Sequence, residues 1–185
     1  VRREYEMCKA HFEDLLARLQ TTYIDIGMLF FIDSDDDFRN TFETDFVEYA
    51  LQLKKEGKIR AIGASSHNPE IAMRVAETGI VEHMMFSVNL AFDMMPSDVY
   101  VLAEGRMSGE KFAGIDPKRA RYYEYCASKG ISISVMKTLG AGKLISAEHT
   151  PFARSMTVAQ CIHYALSRPA VVSTLIGCKS RAQVL

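Results

Sequence analysis

The stretch GASSHN, residues 63–68, sets two hydroxyls and an imidazole side by side after the short apolar run IRAI. Loops of small and hydroxyl residues at the end of a buried strand are where α/β proteins put their chemistry. Taken alone, Ser65 and Ser66 read as capping and turn residues. His67 is of the type that moves protons near neutral pH, but no carboxylate partner is identifiable beside it, so it reads as a loop hydrogen-bonder. The acidic run DSDDDF, residues 33–38, offers oxygens to a cation. It lacks the glycine and the distal glutamate of an EF-hand loop and reads as a solvated loop. Cys8, Cys126, Cys161 and Cys178 are scattered and form no CxxC pair, so no metal site is expected in this stretch. They read as reduced thiols of a cytoplasmic protein. Asp25, early in an apolar run, reads as a structural acceptor, and His163 as a packed or surface side chain.

The elements that must position these residues alternate along the chain. Cys8, Phe12, Leu15, Leu16 and Leu19 form a helical stripe, and residues 23–31 form a strand expected to be buried on both faces. Phe46, Ala50 and Leu53 mark a helix capped at Gly57, and the strand 59–65 follows. Asn68 is an N-cap with Pro69 at the first position of a helix over 69–77. A third strand is expected at 82–90 and an irregular inserted loop at 91–115. A helix from Asp116 and Pro117 to Gly130 leads to the strand 131–137. Thr157 and Gln160 form a capping box, residues 170–177 a fifth strand, and 179–185 the start of a last helix.

With 185 residues, 48% hydrophobic, and a net charge of -1, the chain reads as one globular domain, 1–185. It has no general attraction for nucleic acid and no run of the roughly 20 apolar residues that a membrane helix needs. Strict alternation of strands and helices argues for a parallel sheet covered by helices. No GxGxxG follows a strand, which favours a sector of a (β/α)8 TIM barrel over an open dinucleotide-binding sheet. Ligands then bind at the carboxyl ends of the strands, at residues 30–33, 65–67, 87–89, 136–139 and 177–180.

At these ends the sequence resembles the aldo-keto reductases. LARLQTTYIDIGML resembles the segment entering the family's fourth strand, and LKKEGKIRAIGASSHN resembles its LxxEGKIRxIGVSN. YCASKGISISVMKTLGAGKL and ALSRPAVVSTLIGCKSRAQV resemble its seventh- and eighth-strand segments. GASSHNPE, MMFSVN and VMK are most similar to the branch often fused to a ferredoxin-like iron–sulfur domain. The resemblance implies that the chain supplies roughly strands 4 to 8 of the barrel. Any iron–sulfur cluster would then belong to a domain outside it.

The resemblance further implies NADP(H) as cofactor and a small-molecule carbonyl or alcohol as substrate. Ser65 and Ser66 stand where the family holds the nicotinamide carboxamide, and Met85 stands at a position that is often Gln. Met136 replaces the Tyr that stacks on the ring. Lys137, Thr138 and Leu139 would lie along the pyrophosphate, with Gly142 giving backbone room. Gly177, Lys179, Ser180 and Gln183 fall where the family holds the adenosine 2'-phosphate; Lys179 alone reads equally well as a solvated lysine. No catalytic residue is assigned within the chain. The family's Asp, Tyr and Lys belong to the first three strands, and its His falls on Phe30, which neither titrates nor donates. The alternatives are an inactive NADP(H)-binding barrel with a sensing role and an unrelated barrel enzyme that holds a phosphate. Abrupt ends at Val1 and Leu185 suggest part of a longer protein, and five strands with open edges leave homo-oligomerisation open.

Overall fold

The computed structural model describes residues 4–94 and 114–184. Five strands, β1 (Ile24–Leu29), β2 (Ile59–Ser66), β3 (His83–Ser87), β4 (Ser132–Met136) and β5 (Val171–Thr174), follow one another in chain order in one sheet. β1 pairs with β2, and β4 with β5, in parallel. The helices are α1 (Tyr5–Leu19), α2 (Asp35–Phe42), α3 (Asp45–Lys55), α4 (Pro69–Glu77), α5 (Leu90–Asp93), α6 (Pro117–Lys129) and α7 (Val158–Leu166). Two compact units divide the chain: Val1–Met85 with Lys129–Ile131, and Phe86–Ser128 with Ser132–Leu185.

In the first unit α3 and α4 pack on β2, whose Ile59, Ile62 and Ala64 are buried with Val47, Ala50, Leu53, Ala72 and Val75. The register sets Met28 against Gly63 and Leu29 against Ala64, which aligns the two strand ends. A Cβ at Gly63 would lie 2.5 Å from Met28 Sδ and 2.7 Å from Ile26 Cγ2; the methionine end can swing away, but the stiff Ile26 side chain on β1 cannot, so a larger residue there would force the strand to shift. β1 is only partly covered, not buried on both faces as its apolar run suggests. The α1 stripe of Cys8, Phe12 and Leu15 lines an open apolar groove of about 530 Å³ with Ile26 and Met28, and α1 buries no residue.

The acidic run corrects a second expectation. Ser34 caps α2 by accepting from the Asp37 backbone N–H at 3.1 Å, and Asp35, Asp36 and Asp37 form the first turn. Acidic side chains there complement the helix dipole, so the run is a helix start rather than a loop. α4 begins and ends as its sequence predicts, with Asn68 Oδ1 accepting from the Glu70 and Ile71 amides.

In the second unit Phe86, Tyr122 and Tyr123 stack as the aromatic core, with Phe86 and Tyr122 centroids 4.7 Å apart. Ala91, Leu144 and Cys161 form a second small cluster, with Leu139, Phe152 and Met156 packed against it. The capping box of α7 forms as expected between Thr157 and Gln160. β3 stops at Ser87, because Asn89 caps α5 by accepting from the Phe92 amide at 2.9 Å. The expected loop 91–115 therefore opens with helix; residues 95–113 lie outside the described residues. The last helix of the sequence reading is a three-residue 3₁₀ turn, Arg181–Gln183. No described helix is long and apolar enough to cross a membrane.

Candidate functional site

Polar groups gather at the carboxyl ends of the strands in each unit, and in each they converge on an aspartate. In the first unit the hub is Asp33, just beyond β1. Its Oδ1 accepts from the His67 backbone N–H at 2.6 Å and from Ser66 Oγ at 3.1 Å, and its Oδ2 lies 2.9 Å from His67 Nδ1. Burial alone would raise the Asp33 pKa, but the bonds and charge of His67 and the Ser66 hydroxyl outweigh it and hold it below the usual carboxylate value. The sequence reading found no carboxylate for His67. Asp33 is that partner, 34 positions away, and only the β1–β2 register brings it there.

The two serines differ. Ser66 Oγ accepts from the Asn68 amide at 3.2 Å and donates toward Asp33, so both of its capacities are engaged internally. Ser65, 4% exposed, accepts from the Phe31 amide at 2.8 Å, and its O–H has no acceptor among the described residues. Phe31 itself sits at φ 59°, a left-handed conformation that costs a bulky residue of order 1–3 kcal/mol and that the Ser65 bond helps to hold. Phe30 is 63% exposed, with its ring 5.9 Å from that of Phe31.

In the second unit the strand end is built by backbone. Met136 is half-buried and its carbonyl accepts from Val88. Lys137 follows at φ 62°, and its carbonyl accepts from Gly140 N–H at 2.8 Å and Asn89 Nδ2 at 2.9 Å. Leu139 then accepts the Gly142 and Leu144 amides, and Gly140, Ala141 and Gly142 all have positive φ. At Gly142, φ 87° requires glycine, and the space where a side chain would stand is open. Thr138 is buried and its hydroxyl bonds that of Thr174. Beyond β5, Gly177, Lys179 and Ser180 are exposed, and Gln183 Oε1 accepts the Lys179 amide at 2.7 Å, closing that turn. Ser180 makes no capping bond with its side chain.

The hub of the second unit, Asp93, was missed in the sequence. It is fully buried, with Oδ1 accepting from Arg119 Nε at 2.8 Å and Tyr123 OH at 2.6 Å, and Oδ2 from Tyr164 OH at 2.8 Å. Arg119 also donates to the Ser87 carbonyl. Burial disfavours the Arg119 charge, but Tyr123 and Asp93 outweigh this and raise its pKa. Burial, then the charge of Asp93, raises the pKa of the Tyr164 hydroxyl, which therefore stays a neutral donor. Among the described residues, no group of three or more His, Cys, Asp or Glu side chains could hold a metal.

The sequence profile of the Aldo/keto reductase family matches residues 1–158. No curated protein matches the chain significantly. Among solved structures, the holo form of an aldo-keto reductase from Bacillus halodurans matches 100% of this chain and 60% of its own, at 20% identity and TM-score 0.69. An aldo/keto reductase from Klebsiella pneumoniae, solved with NADP and acetate, matches 94% and 55% at 22% identity and TM-score 0.58. An aldo-keto reductase structure from Pseudomonas aeruginosa matches 95% and 54% at 19% identity and TM-score 0.63. The chain thus spans little more than half the length of these structures. They bear out its fold, a five-stranded parallel part of a (β/α)8 barrel.

Proposed function

Because the chain belongs to the Aldo/keto reductase family, we propose that it supplies the nicotinamide- and phosphate-holding strands of an NADP(H)-dependent oxidoreductase acting on small carbonyl or alcohol substrates. The observation that carries this reading is Ser65, a buried hydroxyl at a strand end whose oxygen is engaged and whose O–H is left to donate. That O–H suits the carboxamide oxygen of a nicotinamide, and the NADP held by the Klebsiella relative supports the cofactor class. Ser66 serves instead to fix Asp33, so the contact assigned to the serine pair falls to Ser65.

Bound reduced nicotinamide would supply a hydride to a carbonyl carbon. Met136 would pack on its flat ring through a polarisable thioether. Lys137, Leu139 and Gly142 would follow the pyrophosphate, where the open backbone at Gly142 leaves room for close approach. Lys179 and Ser180, with the turn held by Gln183 and opened at Gly177, would take the 2'-phosphate through charge-assisted hydrogen bonds. The GASSHN, MMFSVN and VMK variants support placing the chain in the branch fused to an iron–sulfur domain.

Fluorescence titration of the intact protein tests the cofactor. Lys179→Ala should weaken NADPH binding about tenfold, the scale of one lost hydrogen bond to a charged group, and leave NADH binding unchanged. Equal loss for both cofactors would remove Lys179 from the phosphate. Exposed Phe30, at the family's His position, favours a second reading, a barrel that binds NADP(H) as a sensor. Binding without turnover of simple aldehydes would select it.

A further inference from the structure

The third strand end, residues 87–89, carries Asn89, a side chain that the cofactor contacts proposed above leave unused. It is 1% exposed, so it cannot itself meet a bound molecule. Both ends of its amide are engaged, by groups that permit one orientation only. The Phe92 backbone N–H can only donate and takes Oδ1 at 2.9 Å, while the Lys137 carbonyl can only accept and takes Nδ2 at 2.9 Å. An ionised carboxylate of the same shape would keep the first bond and set oxygen against oxygen at the second. The preceding residue acts in step: the Val88 N–H donates to the Met136 carbonyl at 3.2 Å. Two successive residues past β3 thus hold two successive carbonyls at the end of β4. The carbonyl that Asn89 holds belongs to a strained residue. Lys137 stands at φ 62°, the left-handed region in which a Cβ crowds the carbonyl oxygen that follows it. Such conformations persist where surrounding bonds over-determine them, and they cluster at ligand clamps. The same carbonyl accepts the Gly140 N–H at 2.8 Å, which closes the turn into residues 140–142. That turn leaves the Leu139 and Ala141 N–H groups without an acceptor among the described residues, and these are the donors it offers to an anion.

Resting on the NADP(H) reading above, we propose that Asn89 is a positioning residue for the dinucleotide, holding the Lys137 carbonyl so that the turn after β4 stays in the left-handed form that presents Leu139, Ala141 and Gly142 to the pyrophosphate. Asn89 acts on cofactor affinity through the shape of this turn and takes no part in the transfer of hydride or proton. Without its Nδ2 the Lys137 carbonyl keeps one donor among the described residues, Gly140. The turn is then free to pass into the conformations at negative φ that a lysine prefers. Thr138 does not replace the clamp, because its bond to Thr174 runs through the side-chain hydroxyl and leaves the direction of the 137–138 peptide unset.

A double-mutant cycle on the intact protein tests the clamp. Asn89→Ser keeps an oxygen for the Phe92 amide and removes the donor to Lys137, and Lys137→Gly removes the Cβ that strains φ 62°. NADPH affinity should fall about tenfold in Asn89→Ser, the upper end for one lost hydrogen bond. The same change made in Lys137→Gly should cost no more than about twofold, because the turn no longer needs holding. Equal losses in the two backgrounds, or none in either, would overturn the inference, since a residue that only caps α5 or fills space is indifferent to the backbone at 137. Asn89→Thr, with the same cap oxygen and more of the volume, takes the place of the serine variant in the cycle should that variant not fold. Amide hydrogen exchange of the apoprotein reads the clamp without cofactor. In Asn89→Ser the Gly140 amide should exchange faster by a similar factor while the Phe92 amide keeps its protection. Unchanged exchange at Gly140 overturns the inference. Wild-type protein that binds no NADPH defeats the oxidoreductase reading and the cofactor role with it, whereas the Gly140 amide still decides whether Asn89 sets the turn.

Discussion

Asp33 and Asp93 each gather the polar groups at one unit's strand ends, and they do so by opposite means. Asp93 is fully buried and faces a permanent cation, with two tyrosine hydroxyls completing its bonds. Arg119 and Tyr123 are buried and Tyr164 is half-buried, and all three bond the carboxylate. Asp33 is half-buried and bonds a histidine through both its backbone N–H and its ring, and that side chain keeps 27% of its surface exposed. The difference separates a carboxylate held by a buried guanidinium from one held by a histidine that stays partly exposed at a strand end. Two charged side chains at similar places in a fold are not two sites.

Asp93→Ala tests that contrast with the largest effect. It leaves the Arg119 guanidinium buried without its counter-charge, and unfolding by urea should show a loss of about 3–5 kcal/mol. Replacing both partners, as Asp93→Leu with Arg119→Met, should recover much of this, because a packed apolar pair of similar volume often matches a buried ion pair. A double variant as unstable as the single one would mean that Asp93 acts through α5 and its flanks rather than through its charge. Next in size is Tyr164→Phe, which removes one donor from Oδ2 and should cost about 1.5–3 kcal/mol, the range for hydrogen bonds to charged groups. No measurable change would show that Oδ2 finds another donor and that the hub is less saturated than its geometry indicates.

How far these hubs could be read from the sequence follows from the range of the interactions. Local signals came through intact: Asn68 and Pro69 opening α4, Thr157 with Gln160 opening α7, and the alternation that fixed a parallel sheet. Each depends on residues within a few positions of one another. The acidic run misled because charge was weighed ahead of the Ser34 cap that turns those aspartates into a helix start. β1 misled because an apolar run cannot report that its neighbour on one side is only a helix lining an open groove. The hubs themselves were invisible, since Asp33 meets His67 across 34 positions and Asp93 meets Tyr164 across 71. One clue was available in retrospect: parallel pairing of two consecutive strands brings the residues just past each strand end together, which places residue 33 beside residue 67. The proposed cofactor contacts came from resemblance, and the structure added the distinction between Ser65 and Ser66 that resemblance did not contain.

The smallest effect, and the one that isolates the titratable hub, is Asp33→Asn. An amide can still accept from the His67 backbone and Ser66, but its NH₂ opposes the Nδ1 proton, so stability at pH 7 should fall by only about 1 kcal/mol. The pH dependence carries the information. The folded pKa of Asp33 lies below its unfolded value, so the unfolded chain binds the proton more readily. Its stabilising contribution is therefore complete above the ordinary aspartate pKa of about 3.9 and disappears as the pH falls through the lower folded value. Urea unfolding from pH 6 down to pH 3 should show a downward slope in the wild type that is shallower in Asp33→Asn. Equal slopes would mean that His67 and Ser66 gain no more from the ionised carboxylate than water does, and the contrast between the two aspartates would reduce to burial alone.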